Sequence, residues 1–328
     1  MPIISVIMPA FNAEEYIEEA IRSILDQTFQ DYELIILNDG STDKTLEIIR
    51  TFDDSRIVLI DSDYNQGLVA QLNFGINAAQ GQLIARMDAD DACHPTRLQV
   101  QHDYLQANPE VGLCATFTER FGNERGVIKT FSEDAALRFS LLFGTPIQHG
   151  SVMFRKRLID QHNLTYEAEY FPSEDYGLWV KMSRFTKLHV LPNVLSYYRV
   201  SPGQITNLKF NDQMSIADGI ARSHFNHDYF EITNENEMYY EVFRWKRSLR
   251  TQSVSGYLRF LAALDQCPDR QDNDNKWSFM VCRHFVQQAV KFKLWNSILL
   301  AFTIWPSLLV VRVVLDLIYD SGLSKERK

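Results

Sequence analysis

Cysteine is scarce in this chain: four residues in 328, namely Cys93, Cys114, Cys267 and Cys282, far apart and without a C-x-x-C pair. That spacing excludes a zinc cluster and a dithiol redox motif and is what reduced thiols in a cytosolic protein look like. Neither G-x-x-x-x-G-K-[ST] nor G-x-G-x-x-G occurs, which argues against an ATPase and a nicotinamide dehydrogenase. Basic residues are few at the start: residues 1–110 carry 6 Lys and Arg against 19 Asp and Glu. Such a segment repels a phosphate backbone and argues against general nucleic-acid binding, but it holds a polyanionic ligand if a cation sits between them. The opening MPIISVIMPAFNAEE has no basic n-region, so it reads as a first β-strand rather than a signal peptide. There is no internal repeat and no low-complexity segment.

What is present is an ordinary globular composition, 45% hydrophobic and 23% charged, in a length that suggests about two domains. From residue 3 to residue 107 short apolar runs alternate with helix-like stretches, the signature of a parallel α/β sheet. The runs Ile3 to Met8, Leu34 to Leu37, Ile57 to Ile60 and Leu83 to Met87 are the expected strands. Between the first two, Tyr16, Ile17, Ala20, Ile21, Ile24 and Leu25 form a helical stripe, with Asn12 and Glu15 spaced as a capping box. Leu68, Leu72, Ile76 and Ala79 form another, and a helix is expected to open at Pro95. Further strands are expected at Val111 to Phe117, Val127 to Phe131, Ser151 to Phe154 and Val194 to Val200. After Asn211 the sequence turns helical and polar, and CPDRQDNDNK from Cys267 reads as a loop or linker.

In an open α/β sheet ligands bind beyond the carboxyl ends of the strands. The residues there are Pro9-Ala10-Phe11-Asn12, Asn38-Asp39-Gly40-Ser41 and Asp88-Ala89-Asp90-Asp91. Asp88 and Asp90 are two apart in an extended segment, so their carboxylates share a side. With Asp91 beside them they are hard oxygen ligands suited to Mg²⁺ or Mn²⁺. The plainer alternative is a solvated acidic turn that caps the next helix. Asp39 can accept hydrogen bonds from ligand N–H groups and Phe11 can lie against a flat ring, the alternatives being a turn aspartate and a core aromatic.

The stretch VIMPAFNAEEYIEEAIRSILDQTFQDYELIILNDGSTDKT, followed by NQGLVAQLNFGINAAQGQLIARMDADD, resembles the nucleotide-sugar half of family-2 inverting glycosyltransferases with the GT-A fold. The match runs nearly unbroken from Ile3 to Asp91. It continues through IQHGSVMFRK, SEDYGLWVKM and YYRVSPGQIT, covering about two thirds of the chain. The resemblance implies that Pro9 and Phe11 border the nucleotide base and that Asp39 hydrogen-bonds it, usually uracil. Asp88 would approach the ribose or the metal, and Asp90 would coordinate the Mn²⁺ or Mg²⁺ that bridges the diphosphate. Glu174 and Asp175 match the family's E-D pair; Asp175 is the favoured base for the acceptor hydroxyl, with Glu174 orienting or binding acceptor, the alternative being a charged helix start. His149 is a candidate contact to acceptor or diphosphate. One departure is Ser201, where relatives often carry a histidine that can serve as a further metal or phosphate contact; Arg199 and Gln204 are candidates to substitute for it in part.

The expected architecture is therefore an α/β GT-A domain, a Rossmann-like mixed and mainly parallel sheet flanked by helices, over residues 1–210, followed by a C-terminal helical region over 211–328. The expected reaction moves a sugar from a nucleotide sugar, UDP-linked, to a hydroxyl of a glycan or polyprenyl-diphosphate-linked acceptor in cell-surface polysaccharide synthesis. A polyprenyl-phosphate sugar synthase and a catalytically silent sugar-nucleotide binding module are the alternatives. Leu294 to Val311 carry no formal charge and the apolar character runs on to Tyr319. Trp295, Trp305 and Tyr319, with Lys291, Lys293, Lys325, Arg327 and Lys328 around them, suit a bilayer surface. A tail over about 294–319 that lies on the membrane is favoured over a buried helix pair and over a span, which Asn296 and Pro306 weaken. The expected location is cytoplasmic, peripheral on the inner face of the cell membrane. Deletion of residues 294–328 is expected to release the protein from membrane fractions; continued sedimentation with membranes would refute the anchor.

Overall fold

A computed structural model of the protein describes residues 1–201, 204, 208–244, 254–265, 280–285 and 287. The strands β1 (Ile4–Ala10), β2 (Tyr32–Asp39), β3 (Ile57–Ser62) and β4 (Leu83–Arg86) lie parallel in the order β3-β2-β1-β4. β1, β2 and β4 read as continuous apolar runs because helices cover both of their faces. On one face Ile4, Val6, Met8, Leu34 and Ile36 pack with Ile17, Ala20, Ile21 and Ile24 of helix α1 (Ile17–Leu25) and Ile49 of α2 (Thr45–Ile49). On the other, helix α3 (Leu68–Ala78) comes so close that a Cβ on its Gly75 would lie 2.7 Å from Ile7 and 3.1 Å from Leu37. The buried carboxylate of Glu33 in β2 is paired: its Oε1 accepts the Ser5 hydroxyl at 2.6 Å and the Gln80 N–H at 2.8 Å, as a buried charge requires.

The second half adds β5 (Ala92–Cys93), α4 (Arg97–Ala107), β6 (Val111–Gly122), β7 (Gly126–Ile128), α5 (Asp134–Leu141), β8 (Met153–Arg155), α6 (Lys156–His162), α7 (Glu174–Ser183) and β9 (Lys187–Val200). The sheet continues β4-β8-β6-β9-β5, with β7 paired to β6. Two pairings decide where the chemistry sits. β8 runs antiparallel to β4, so the turn His149–Ser151 that enters β8 meets the residues leaving β4. β5 pairs with β9 through Ala92↔Tyr197 and Cys93↔Ser196, which draws the segment after β4 against the end of β9. Buried Arg97 and Gln101 of α4 close the gap between these strands. Arg97 Nη2 donates to the carbonyls of Arg86 (2.9 Å) and Val152 (3.2 Å), and Gln101 Nε2 to those of Cys114 (2.8 Å) and Ser151 (2.9 Å).

The described part divides into two compact units, residues 1–137 with 144–220 and residues 138–143 with 221 onward. The second unit is aromatic. Phe225 stacks on Phe260 at 5.7 Å, and Phe243 lies 4.7 Å from the buried His284 ring. Arg222 of α8 (Phe210–Asp228) makes a two-pronged ion pair with Glu237 of α9 (Glu237–Phe243) at 2.7 and 2.5 Å; α10 (Val254–Asp265) follows. No helix among the described residues is long and apolar enough to cross a membrane. The tail expected over 294–319 lies outside the described residues.

Two local expectations are corrected. The capping box at Asn12 and Glu15 does not form: α1 begins at Ile17 without a side-chain cap. Asn12 instead adopts a left-handed φ of 48° and its Oδ1 accepts the Thr42 N–H at 2.9 Å. The cause is that the loops after β1 and β2 bind each other: Ala13 N–H donates to Thr45 Oγ1, Glu14 N–H to Asp43 Oδ2, and Lys44 N–H to Glu14 Oε2. The helix expected at Pro95 begins at Arg97, because the Pro95 carbonyl, which would accept a helical N–H, accepts the Thr28 N–H at 2.8 Å instead.

Beside the clasped loops, Gly40 has φ +65°, and a Cβ there would lie 2.5 Å from the Tyr64 carbonyl carbon and 2.7 Å from Asn65 N. Gly40→Ala is expected to destabilise the protein by about 2 kcal/mol, combining left-handed strain with the clash. Urea unfolding measures this, and an unchanged midpoint would sink the argument.

Candidate active site

The order β3-β2-β1-β4 reverses direction at β1, and the crevice at such a switch point is where α/β sheets bind ligands. Pro9 and Phe11 stand on its β1 side. Phe11 is 49% exposed, so it is no core aromatic, and its ring faces solvent where a flat ligand can stack. Asp39 ends β2 and is only 3% exposed. Its carboxylate accepts Gln66 N–H (2.8 Å), Gly67 N–H (2.9 Å) and Gln71 Nε2 (2.6 Å). Those bonds fix the turn into α3. A carboxylate has about four lone-pair positions, so capacity remains for one more donor.

On the β4 side, one carboxylate oxygen from each of Asp88, Asp90 and Asp91 lies within 4.8 Å of the others. Three charges so close repel, and burial, then Asp88's charge, pushes the Asp90 carboxyl up to about 6. Burial followed by the charges of Asp88 and Asp90 raises Asp91 well above the usual range. Against them stands Arg86, the last residue of β4 and 3% exposed, which donates through Nη1 to Asp88 Oδ2. Burial opposes the Arg86 charge, but Asp88 more than offsets this and holds its pKa above the ordinary value. Gly150 forms the floor. A Cβ there would lie 3.2 Å from Asp91 Oδ2 and 3.3 Å from Asp88 Oδ2, so a larger residue would fill the cradle. Hard oxygen donors around a space kept open by glycine fit Mg²⁺ or Mn²⁺, which bind through one or two carboxylates plus substrate phosphates. A bound cation would also reverse the pressure on these carboxyls to take up protons.

Neither substitute expected for the missing histidine stands free. Arg199 donates its N–H to Asp91 Oδ1 (2.8 Å) and its Nε to the Asp90 carbonyl (2.7 Å), and pairs with Glu19. Gln204 Oε1 accepts the Ser201 N–H at 3.2 Å, and its amide donates back to the Arg199 carbonyl. Both hold protein groups.

Glu174 and Asp175 occupy the first turn of α7, where the helix dipole favours negative charge. Asp175 Oδ1 accepts the Tyr176 N–H at 2.7 Å, and burial pushes its carboxyl up to about 6. Glu174 is 5% exposed and its Oε2 has no hydrogen-bond partner; burial, then Asp175's charge, pushes it up to about 7. Arg86 lowers both carboxyls and Asp88 raises both, so the E-D pair and the Asp88–Asp91 cluster lie within one another's electrostatic reach. His149 completes this wall. Its Nε2 shares a hydrogen with Tyr166 Oη at 2.8 Å, and burial and then Arg86 pull its pKa well below the ordinary value. A neutral imidazole contacts ligand by hydrogen bond, not as a cation.

Sequence reasoning missed Arg86, Gly150 and Tyr166. For Arg86 the signal was a charge inside the apolar run LIAR, which has to be paired if the strand is buried. Tyr166 carries no sequence signal. It is held by Asn73 of α3, whose Nδ2 donates to the Tyr166 carbonyl (2.8 Å) while its Oδ1 accepts the Tyr166 N–H (3.0 Å).

Residues 5–163 match the family model described as Glycosyl transferase family 2. An uncharacterised glycosyltransferase of Haemophilus influenzae is 32% identical over 234 residues, 67% of this chain and 72% of that protein. The chain belongs to glycosyltransferase family 2. The Escherichia coli protein named UDP-Glc:alpha-D-GlcNAc-diphosphoundecaprenol beta-1,3-glucosyltransferase WfaP is 28% identical over 215 residues, 65% of this glycosyltransferase and 83% of WfaP. Among solved structures, S. aureus TarS in complex with UDP-GlcNAc superposes with a TM-score of 0.61 at 16% identity, covering 89% of this chain and 88% of that chain. The likeness gives the transferase the GT-A fold.

Removing the cation from the Asp88–Asp91 cluster should be costly even though it lies in the binding crevice. Arg86→Met is expected to destabilise the protein by about 3 kcal/mol, with partial recovery in the Arg86→Met/Asp88→Asn double variant. Equilibrium urea unfolding without divalent ions reads both; an Arg86→Met variant as stable as wild type would refute the role of the pair.

Proposed function

We propose that this glycosyltransferase moves a sugar with inversion from a UDP-sugar to a hydroxyl of a lipid-linked glycan, using Mn²⁺ or Mg²⁺ held by Asp90 and Asp88. The observation that carries the reading is the approach of the buried Glu174–Asp175 pair to the Asp88–Asp90–Asp91 cluster around Arg86. One group suits a nucleotide diphosphate with its cation and the other suits proton removal. Support for the substrates comes from proteins of the same kind. TarS binds UDP-GlcNAc in its solved complex, WfaP is named for a UDP-glucose donor and an undecaprenyl-diphosphate acceptor, and a mannosyltransferase of Pyrobaculum calidifontis with a TM-score of 0.50 holds GDP-Man and Mn²⁺.

Phe11 and Pro9 border the base in this reading, and the spare lone pair of Asp39 accepts its N–H. Bound at Asp88 and Asp90, a divalent cation supplies charge neutralisation for the departing diphosphate. Asp175 has one oxygen on the Tyr176 N–H and the other for the acceptor hydroxyl, a weak nucleophile until its proton is removed. Attack opposite the diphosphate inverts the anomeric centre and turns an α-linked donor into a β-linked product. Arg86 keeps Asp175 ionised against burial, and Glu174 holds the acceptor. His149, neutral and tied to Tyr166, contributes hydrogen bonding to acceptor or diphosphate.

A base in this role must be unprotonated. With its pKa raised to about 6, activity is expected to fall about tenfold per unit as pH drops below that value. Asp175→Asn should cut transfer by roughly 10²- to 10⁴-fold and leave UDP affinity unchanged. Transfer to glycan-diphosphate lipids from a panel of UDP-sugars checks both. Near-normal transfer by Asp175→Asn would sink the base and favour an acceptor that is already an ionised phosphate.

A further inference from the structure

We infer that Arg199 is the positioning residue of the nucleotide site, locking the metal-binding loop to the base-binding loop through one guanidinium. The inference rests on the reading of Asp88 and Asp90 as the cation site, and it goes beyond that reading because Arg199 acts through protein groups, Asp91, the Asp90 carbonyl and Glu19. It lies 108 residues from Asp91 in sequence, at the end of β9, yet its N–H donates to Asp91 Oδ1 at 2.8 Å. Its Nε donates to the Asp90 carbonyl at 2.7 Å. One residue thus fixes both the backbone of the second aspartate and the carboxylate of the third.

The other end of the side chain reaches α1. Nη2 pairs with Glu19, and the guanidinium carbon lies 4.4 Å from the Tyr16 ring centroid and 4.3 Å from that of Phe121 on β6. Cation–aromatic contacts to two rings, with donors bonded along its edge, leave the group little freedom. Tyr16 and Glu19 stand in the segment that follows Phe11. The base edge and the diphosphate edge of the crevice are therefore indexed to the same group.

Such a lock has a physical purpose here. The residues from Asp88 to Asp91 leave the sheet in a turn, and three like charges crowd that turn. Repulsion opens an unrestrained loop of this kind, and a cation that binds through only one or two carboxylates depends on those oxygens being held in place. A restraint on the loop therefore has to come from elsewhere in the chain. The long reach of Arg199 across three elements supplies the restraint.

The test measures UDP binding to the full chain by titration calorimetry, with Mn²⁺ and with EDTA, so no acceptor is needed. Wild type is expected to bind UDP more tightly with Mn²⁺, and Asp90→Ala should lose that increment. Arg199→Lys keeps a cation between the rings but cannot reach the Asp90 carbonyl and Glu19 together. It is expected to lose roughly 10- to 100-fold of the Mn²⁺-dependent affinity while metal-free binding changes by less than about threefold. Arg199→Ala should lose at least as much; if it fails to fold, as read by circular dichroism, Arg199→Lys decides. Wild-type Mn²⁺ dependence in Arg199→Lys, or an equal loss with and without metal, would overturn the inference and leave Arg199 as a general structural tie. If wild type itself shows no Mn²⁺ increment and Asp90→Ala behaves like it, the cation reading falls and takes the inference with it.

Discussion

Five carboxyl groups, Asp88, Asp90, Asp91, Glu174 and Asp175, gather within electrostatic range of the buried guanidinium of Arg86. That imbalance governs the rest of the site. Arg86, with Arg199 on the far side of Asp90 and Asp91, is outnumbered in a poorly solvated crevice, and burial with mutual repulsion raises the carboxyls of Asp90, Asp91, Glu174 and Asp175 above the usual range. A nucleotide diphosphate alone would worsen the imbalance. In the proposed reading, a diphosphate that arrives with a divalent cation relieves it, and the acidic composition of the first third fits a ligand that brings its own cation.

The scaffold answers this crowding by making the loops rigid. Parallel strands deliver the turns after β1, β2 and β4 to one edge, and each turn is tied to another by side chain to backbone bonds. Asn12, Glu14, Asp43 and Thr45 join the first two, and Asp39 pins the entry to α3. Bonds of this kind satisfy backbone groups that would otherwise need water. They leave the ligand to meet a surface already in shape, so less of its binding energy goes into ordering the protein.

The first half of the fold was legible in the sequence because its strands are buried on both faces and therefore apolar throughout. The runs at Val6, Leu34 and Ile84 need no partner to be recognised. The second half was less legible. β9 extends over Lys187–Val200, but its start, KLHVLPN, mixes charge, alternation and a proline, and only the stretch from Val194 reads as a strand. Its pairing with β6 carries register shifts near Val111 and Phe117, which no local pattern encodes. In the site, Asp88, Asp90, Glu174 and Asp175 were readable as motifs. The roles of Arg86, Gly150, Tyr166 and Arg199 come from contacts across tens to more than a hundred residues, created by the antiparallel entry of β8 beside β4 and by the β5–β9 pairing. The capping box failed for a related reason: Asn12 had a tertiary partner in Thr42 that outcompeted the local one.

Helix α3 begins directly after the Gln66 and Gly67 amides bound by Asp39, and six residues later Asn73 grips the backbone of Tyr166 beside His149. The Asp39 side of the crevice and the Tyr166–His149 wall are thus fastened to the start and the middle of one short rod, about 9 Å apart by helical rise. A helix keeps that separation through sequence change far better than a loop does. The distance between these two parts of the candidate site is therefore measured out by fewer than two turns of α-helix.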